Sequence, residues 1–166
     1  MIADAHSEDD AYGAEHPDTL DARSDTARWT GEAGDAATAR DLFAALLPVR
    51  ERVSGREHPA ALTTRHNVAY WTGRAGDAAA ARDQYAALLP VQERVSGREH
   101  PAALGTWQQL ARWTGEAGDA ATARDQYAAL LPMQGRVLGR EHPNTLTTRH
   151  NLAYWTEVTE LSHNRA

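Results

Sequence analysis

Eight histidines among 166 residues are the first side chains to question for chemistry. His58, His100 and His142 recur at intervals of 42 residues, each followed by proline, and His16-Pro17 stands one interval earlier. In a stacked array that interval separates copies by roughly a helix-packing distance of 8–10 Å. Zinc holds its ligands at about 2.0–2.1 Å, so the ladder cannot share an ion. His66 and His150 are two intervals apart and fare worse. A histidine before proline is driven to extended dihedrals, which suits a helix cap. No metal site is expected. There is no lysine, since all 17 basic residues are arginine, and hence no phosphate loop of the Gly-Lys type. No Gly-x-Ser-x-Gly elbow occurs, and without cysteine there is no thiolate. Acidic residues recur as repeat elements on faces expected to be solvated. Residues peculiar to one copy are few: Trp107, Gln108, Gln109 and Gly135. Neither catalysis nor a cofactor is expected.

The elements that carry these residues repeat with the same period. Trp29, Trp71, Trp113 and Trp155 keep the interval of 42, as do Leu20, Leu62, Leu104 and Leu146. Residues 76–104 and 118–146 are identical at 23 of 29 positions. A fixed period of about 20–50 residues signals a stacked array. Each unit reads as helix, tight turn and longer helix. In the second unit Gly55 suits a left-handed cap, His58 caps, and Pro59 opens a helix with Leu62, Val68, Ala69 and Trp71 on one stripe. Gly73 and Gly76 stop it, and Asp77 caps the next helix. Ala78, Ala81, Tyr85, Leu88, Leu89 and Val91 or Val95 form the apolar side of that helix. Pro48, Pro90 and Pro132 fall inside the second helices, yet the apolar pattern continues to Val53, Val95 and Val137. A kinked helix is therefore expected rather than a break. The four tryptophans are expected to fill the seams between units. Past Trp155 the turn glycines are absent, so the last helix should run on toward Ser162.

Three further features coincide. Small residues in the first helix (Ala27, Ala69, Ala111, Ala153) are matched by alanines in the second (Ala39, Ala81, Ala123). A Gly-Asp turn lies between them, and an aromatic (Phe43, Tyr85, Tyr127) follows four residues after the second alanine. The chain thereby resembles the tetratricopeptide repeat, and its period and Gly-x-x-His-Pro-x-x-Leu opening resemble the longer kinesin-light-chain type. The resemblance implies an all-α fold, a right-handed α–α superhelix of three and a half helix-turn-helix repeats with kinked second helices. A flexible acidic segment would occupy 1–12 and the solenoid 13–166. Its repeats would be about 13–54, 55–96 and 97–138, with a half repeat 139–166 as capping helix. The family's aromatic is replaced by Thr30, Thr72, Thr114 and Thr156, whose volume the preceding tryptophan would supply.

The resemblance also implies a concave groove lined by the first helices. Carried over by position, its peptide-binding residues are Arg28, His66, Asn67, Tyr70, Arg74, Gln108, Gln109, Arg112, His150, Asn151 and Tyr154. Asn67 and Asn151 match the groove asparagine that fixes an extended peptide. Arg28, Tyr70, Arg112 and Tyr154 form one row, where guanidinium could stack on ring. A protein or peptide partner is the leading expectation. Self-assembly of near-identical units into homo-oligomers is the second, and a sensor fragment of a signalling NTPase system, as in some actinobacterial proteins, the third. The net charge of −6 argues against nucleic acid. No apolar run reaches membrane-spanning length, and the start lacks a secretory pattern, so a cytoplasmic protein is expected.

Overall fold

The chain's choice of cap residues explains where its helices begin. In a computed structural model, which describes residues 13–164, seven long helices follow one another. They are α1 (Pro17–Glu32), α2 (Ala36–Ser54), α3 (Pro59–Arg74), α4 (Ala78–Ser96), α5 (Pro101–Glu116), α6 (Ala120–Val137) and α7 (Pro143–His163). The expected acidic segment 1–12 lies outside the described residues. His16, His58, His100 and His142 are the N-caps of α1, α3, α5 and α7, each with proline directly after it. Their Nδ1 atoms accept the amide two residues on, at 3.1 Å for His58, His100 and His142. Asp35, Asp77 and Asp119 cap α2, α4 and α6, their carboxylates accepting the amide three residues on. The amide and hydroxyl of Thr38 hold the Asp35 carboxyl below the usual carboxylate range, and those of Thr122 do so for Asp119.

Two kinds of connection alternate. Between α1 and α2, Gly34 donates to Gly31 O at 3.0 Å and Asp35 N to Thr30 O at 3.2 Å, and Gly34 has φ +106°. This pair of bonds closes the helix on a left-handed glycine, and the residue after it already caps the next helix. Between the longer and shorter helices, Gly55 and Gly97 adopt φ near +100° with ψ near 150°, a region open essentially to glycine alone. Positive-φ glycines stand at 34, 55, 76, 97, 118 and 139. Gly73, expected to help stop its helix, instead lies buried within α3.

The longer helices run unbroken through Pro48, Pro90 and Pro132. One missing amide per helix does not outweigh the burial of the surrounding face. The chain forms two compact units, Met1–Ala75 with α1–α3 and Gly76–Ala166 with α4–α7. In the first, α2 packs on both α1 and α3. Its core is Leu20, Ala27, Ala39, Phe43, Leu46 and Trp71. In the second, α5 packs on α4 and α6, and α6 on α7. Ala81, Tyr85, Leu88, Leu104, Ala111, Ala123, Tyr127 and Leu130 are buried there.

Glycine decides how the seams close. A Cβ built on Gly31 would lie 2.6 Å from Trp71 Cζ2, and one on Gly115 2.7 Å from Trp155 Cη2. Each indole thus lies flush on a bare stretch of an earlier first helix. Trp71 and Trp113 are buried, whereas Trp29 is 63% exposed. The expectation of four seam-filling tryptophans therefore fails at Trp29. It sits on the first of the described long helices, with no first helix one period earlier among them to receive it. Val53 and Val95 are also exposed, not part of the apolar side, because the buried stripe turns away before reaching them. Thr72 and Thr114 are buried next to the indoles. Their hydroxyls are satisfied by the carbonyls of Val68 and Leu110, each at 2.7 Å, so a polar residue costs little there.

Candidate functional site

The buried stripe of each longer helix ends in a polar residue. In α2 it runs Ala39, Phe43, Leu46, Arg50; in α4 Ala81, Tyr85, Leu88, Gln92; in α6 Ala123, Tyr127, Leu130, Gln134. The spacing of three and four residues keeps all four on one helical face. Burying a polar end is unfavourable unless partners meet it, and for Arg50 and Gln134 those partners lie on a flanking shorter helix.

In the first unit, Arg50 Nη2 donates to Asp21 Oδ1 at 2.5 Å and reaches Ser24 Oγ at 3.4 Å. Its Nε is buried without a partner among the described residues. Arg50 and Phe43 form the base of a cleft of about 310 Å³. Asp21, Ser24, Asp25 and Arg28 of α1 form one side, and Ala60, Thr63, Thr64 and Asn67 of α3 the other. In the second unit the base is Tyr127 of α6. Gln108, Gln109, Arg112 and Glu116 of α5 face Thr147, Asn151, Tyr154 and Trp155 of α7 across a cleft of about 360 Å³. Asn151 Nδ2 donates to the Tyr127 hydroxyl at 3.1 Å, and that hydroxyl reaches Gln108 O at 3.5 Å. Burial pushes the phenol up to about 12, so it remains a neutral donor. Gln134 Nε2 donates to Gln108 Oε1 at 3.2 Å, while the buried Oε1 atoms of Gln134 and Gln109 have no partner among the described residues.

Of the residues expected in the groove, Arg28 and Asn67 line the first cleft, and Gln108, Gln109, Arg112, Asn151 and Tyr154 the second. His66 and Tyr70 are half-buried on α3 outside the first lining, Arg74 is its exposed last residue, and His150 is exposed on α7 outside the second. The row of arginine and tyrosine does not stack across helices within either unit. Arg28 lies over Trp29 at 5.7 Å and bonds Asp25 at 2.7 Å, and Arg112 lies over Trp113 at 4.6 Å. Tyr70 and Tyr154 meet Trp71 and Trp155 edge to face, with centroids 5.0 and 4.8 Å apart. The nearest aromatic face is the next residue of the same helix, and it wins. Arg50 and Gln134 were not among the expected site residues. Their signal was a polar type at the fourth position of an otherwise apolar stripe, repeated at the period.

Burial pushes His66 down to about 4 from its ordinary 6.5. The unfolded chain takes up a proton below pH 6.5 that the folded chain refuses until about pH 4. Stability should therefore fall as pH drops through that window and be unaffected above it. The ceiling is about 3 kcal/mol at 1.36 kcal/mol per unit, and the ring's partial exposure makes the expected loss smaller. Urea unfolding at pH 7.5 and 5.0, compared with His66→Gln, should show the slope only where the imidazole is present.

Residues 27–94 match the model of the tetratricopeptide repeat family. No curated protein matches the chain in sequence. Among solved structures, one similar fold is a Podosopora anserina kinesin light chain with nearly identical TPR-like repeats. It is 24% identical, with a TM-score of 0.75 over 91% of this chain and 71% of that one. A second structure of that protein has a TM-score of 0.74 at the same identity, over 91% and 72%. BtubC (BKLC) from P. vanneervenii is 17% identical, with a TM-score of 0.76 over 87% of this chain and 58% of that one. These likenesses are of fold.

Proposed function

We propose that this chain, a member of the tetratricopeptide repeat family, is a non-catalytic scaffold that holds an extended segment of a protein partner in its clefts. Repeat arrays of this kind present extended binding surfaces. The observation that carries the reading is the cleft of the second unit. It is polar, it is open, and the carboxylate of Glu116 lines it as an acceptor for backbone amides. Asn151, braced by the Tyr127 hydroxyl, and Arg112 add donors for peptide carbonyls. Among the described residues no group of three or more His, Asp or Glu could hold a metal ion, and no helix is long and apolar enough to cross a membrane. The reading is a protein partner in the cytoplasm rather than nucleic acid or lipid.

A random peptide library panned on the chain should enrich binders that lose at least tenfold in affinity for the variant Gln109→Ala, Arg112→Ala, Asn151→Ala. Circular dichroism should show that variant still helical. Enriched peptides that bind the variant as tightly as the parent would sink the groove reading.

Self-assembly by end-to-end continuation is less well served. An exposed Trp29 would need a bare glycine on the partner copy. The position one period beyond Gly115 is Glu157, so the bare stretch that receives an indole in the other copies is not repeated there.

A further inference from the structure

Three copies of one surface cluster differ in a way that points to a ligand. In the first copy Glu51 offers its carboxylate to two guanidiniums. Arg65 donates to Oε1 from Nε at 2.9 Å and from Nη2 at 2.5 Å, and Arg56 Nε lies 3.6 Å from Oε2. In the second copy Glu93 lies 3.7 Å from Arg98, and Trp107 stands in the place of Arg65. Arg98 covers that indole at 5.5 Å. One cation is lost there, an aromatic surface is gained, and the carboxylate stays. In the third copy both cations stay, as Arg140 and Arg149, and the carboxylate goes: position 135 is glycine.

A second exchange accompanies the first. Ala61 and Ala103 become Thr145, which is 1% exposed and whose hydroxyl oxygen has no partner among the described residues. Gly135, Arg136, Arg140, Thr145 and Arg149 border a cavity of about 430 Å³. Arg136 is occupied by Glu99. Arg149 spends one donor on the Arg140 carbonyl at 3.4 Å. Neither Arg140 nor Arg149 meets a carboxylate within ion-pair distance among the described residues. A Cβ on Gly135 would find nothing nearer than Arg140 Cγ at 3.9 Å, so the space a glutamate side chain would cross is open. Glycine inside α6 is a poorer helix former than glutamate, so the helix itself gains nothing from the exchange.

We propose that this cavity is a carboxylate-binding site, in which a ligand supplies the group that Glu51 and Glu93 supply to the other copies. The first copy shows that the paired guanidiniums can grip a carboxylate, in part through a fork of two N–H donors from one arginine. Thr145 adds a hydroxyl donor that alanine cannot. The site is separate from the clefts and stands whether or not they bind peptide. The carboxylate can arrive on a free dicarboxylate or on a glutamate side chain of a polypeptide.

The test is ¹⁵N NMR titration at low salt, following the amides of Arg140 and Thr145. The probes are sodium glutarate, the blocked tripeptide Ala-Glu-Ala, its Ala-Gln-Ala counterpart and inorganic phosphate. Saturable shifts with a carboxylate probe and none with the glutamine peptide are expected. Glutarate binding as tightly as the glutamate peptide identifies a free dicarboxylate, and a peptide at least threefold tighter identifies an acidic polypeptide. Gly135→Glu should abolish the shifts while raising Tm, because the tethered carboxylate occupies the site. Gly135→Ala should leave them intact. The proposal is overturned if Gly135→Glu binds as the parent does, if no carboxylate probe binds, or if phosphate alone binds.

Discussion

Trp71→Ala is expected to lower the stability of the first unit by about 3–5 kcal/mol, the usual loss for a buried indole. Gly31→Ala should cost about 1–3 kcal/mol by overpacking, because its methyl would enter the Trp71 ring. The two losses should not add. Once the indole is gone the methyl has room, and alanine favours a helix over glycine by about 1 kcal/mol. The double variant should therefore be no less stable than Trp71→Ala alone. Urea unfolding followed by circular dichroism gives all four corners of this cycle. Strictly additive losses would show that the indole and the bare backbone are not a single packing unit. The same pair recurs as Gly115 and Trp155, with smaller effects because Trp155 is only half-buried.

The second large effect concerns Arg50, a buried guanidinium whose partner carboxylate on Asp21 is largely in water. Removing one member of a fully buried pair costs about 3–5 kcal/mol. Here the exposed carboxylate lowers the expectation for Asp21→Ala to about 2 kcal/mol. Arg50→Leu should fall within about 1 kcal/mol of the parent, since an apolar replacement removes the charge and its desolvation together. In that background Asp21→Ala should add nothing further. Thermal and urea unfolding of the three variants check the pattern. If Arg50→Leu were the more damaging single change, the guanidinium would be holding the helices together rather than being tolerated at the base of a cleft.

Most of the architecture was legible because the period exposes it. His-Pro and Gly-Asp recur at fixed places, and both turned out to be the caps their chemistry suggested. The unbroken passage of the longer helices through proline was also visible in the apolar pattern beyond it. What escaped the sequence was the division of labour between glycines. In Thr-Gly-x-Ala-Gly-Asp the second glycine needs a left-handed backbone, while the first is an ordinary helical residue kept bare for a distant indole. Both look like punctuation in one dimension. They also vanish together in the last copy, at Glu157 and Glu160, so their absence there does not tell one role from the other. The cleft walls were legible by position, as at Arg112 and Asn151. The base was not, although a polar type on the 39-43-46-50 stripe announced it. The arginine–tyrosine row had the right spacing but the wrong partners, since rotamer choice sends each side chain to its own neighbouring tryptophan.

The left-handed glycines at 34, 55, 76, 97, 118 and 139 are evenly spaced at 21 residues. The joints after Ser54 and Ser96 read alike, Ser-Gly-Arg-Glu-His-Pro. A chain spliced from one joint to the other loses a whole 42-residue copy and keeps every surviving residue in its native reading frame of helix and bend. Replication slippage between such look-alike stretches would lengthen or shorten the protein by intact modules, so the number of copies is the property natural variation can alter at least structural cost.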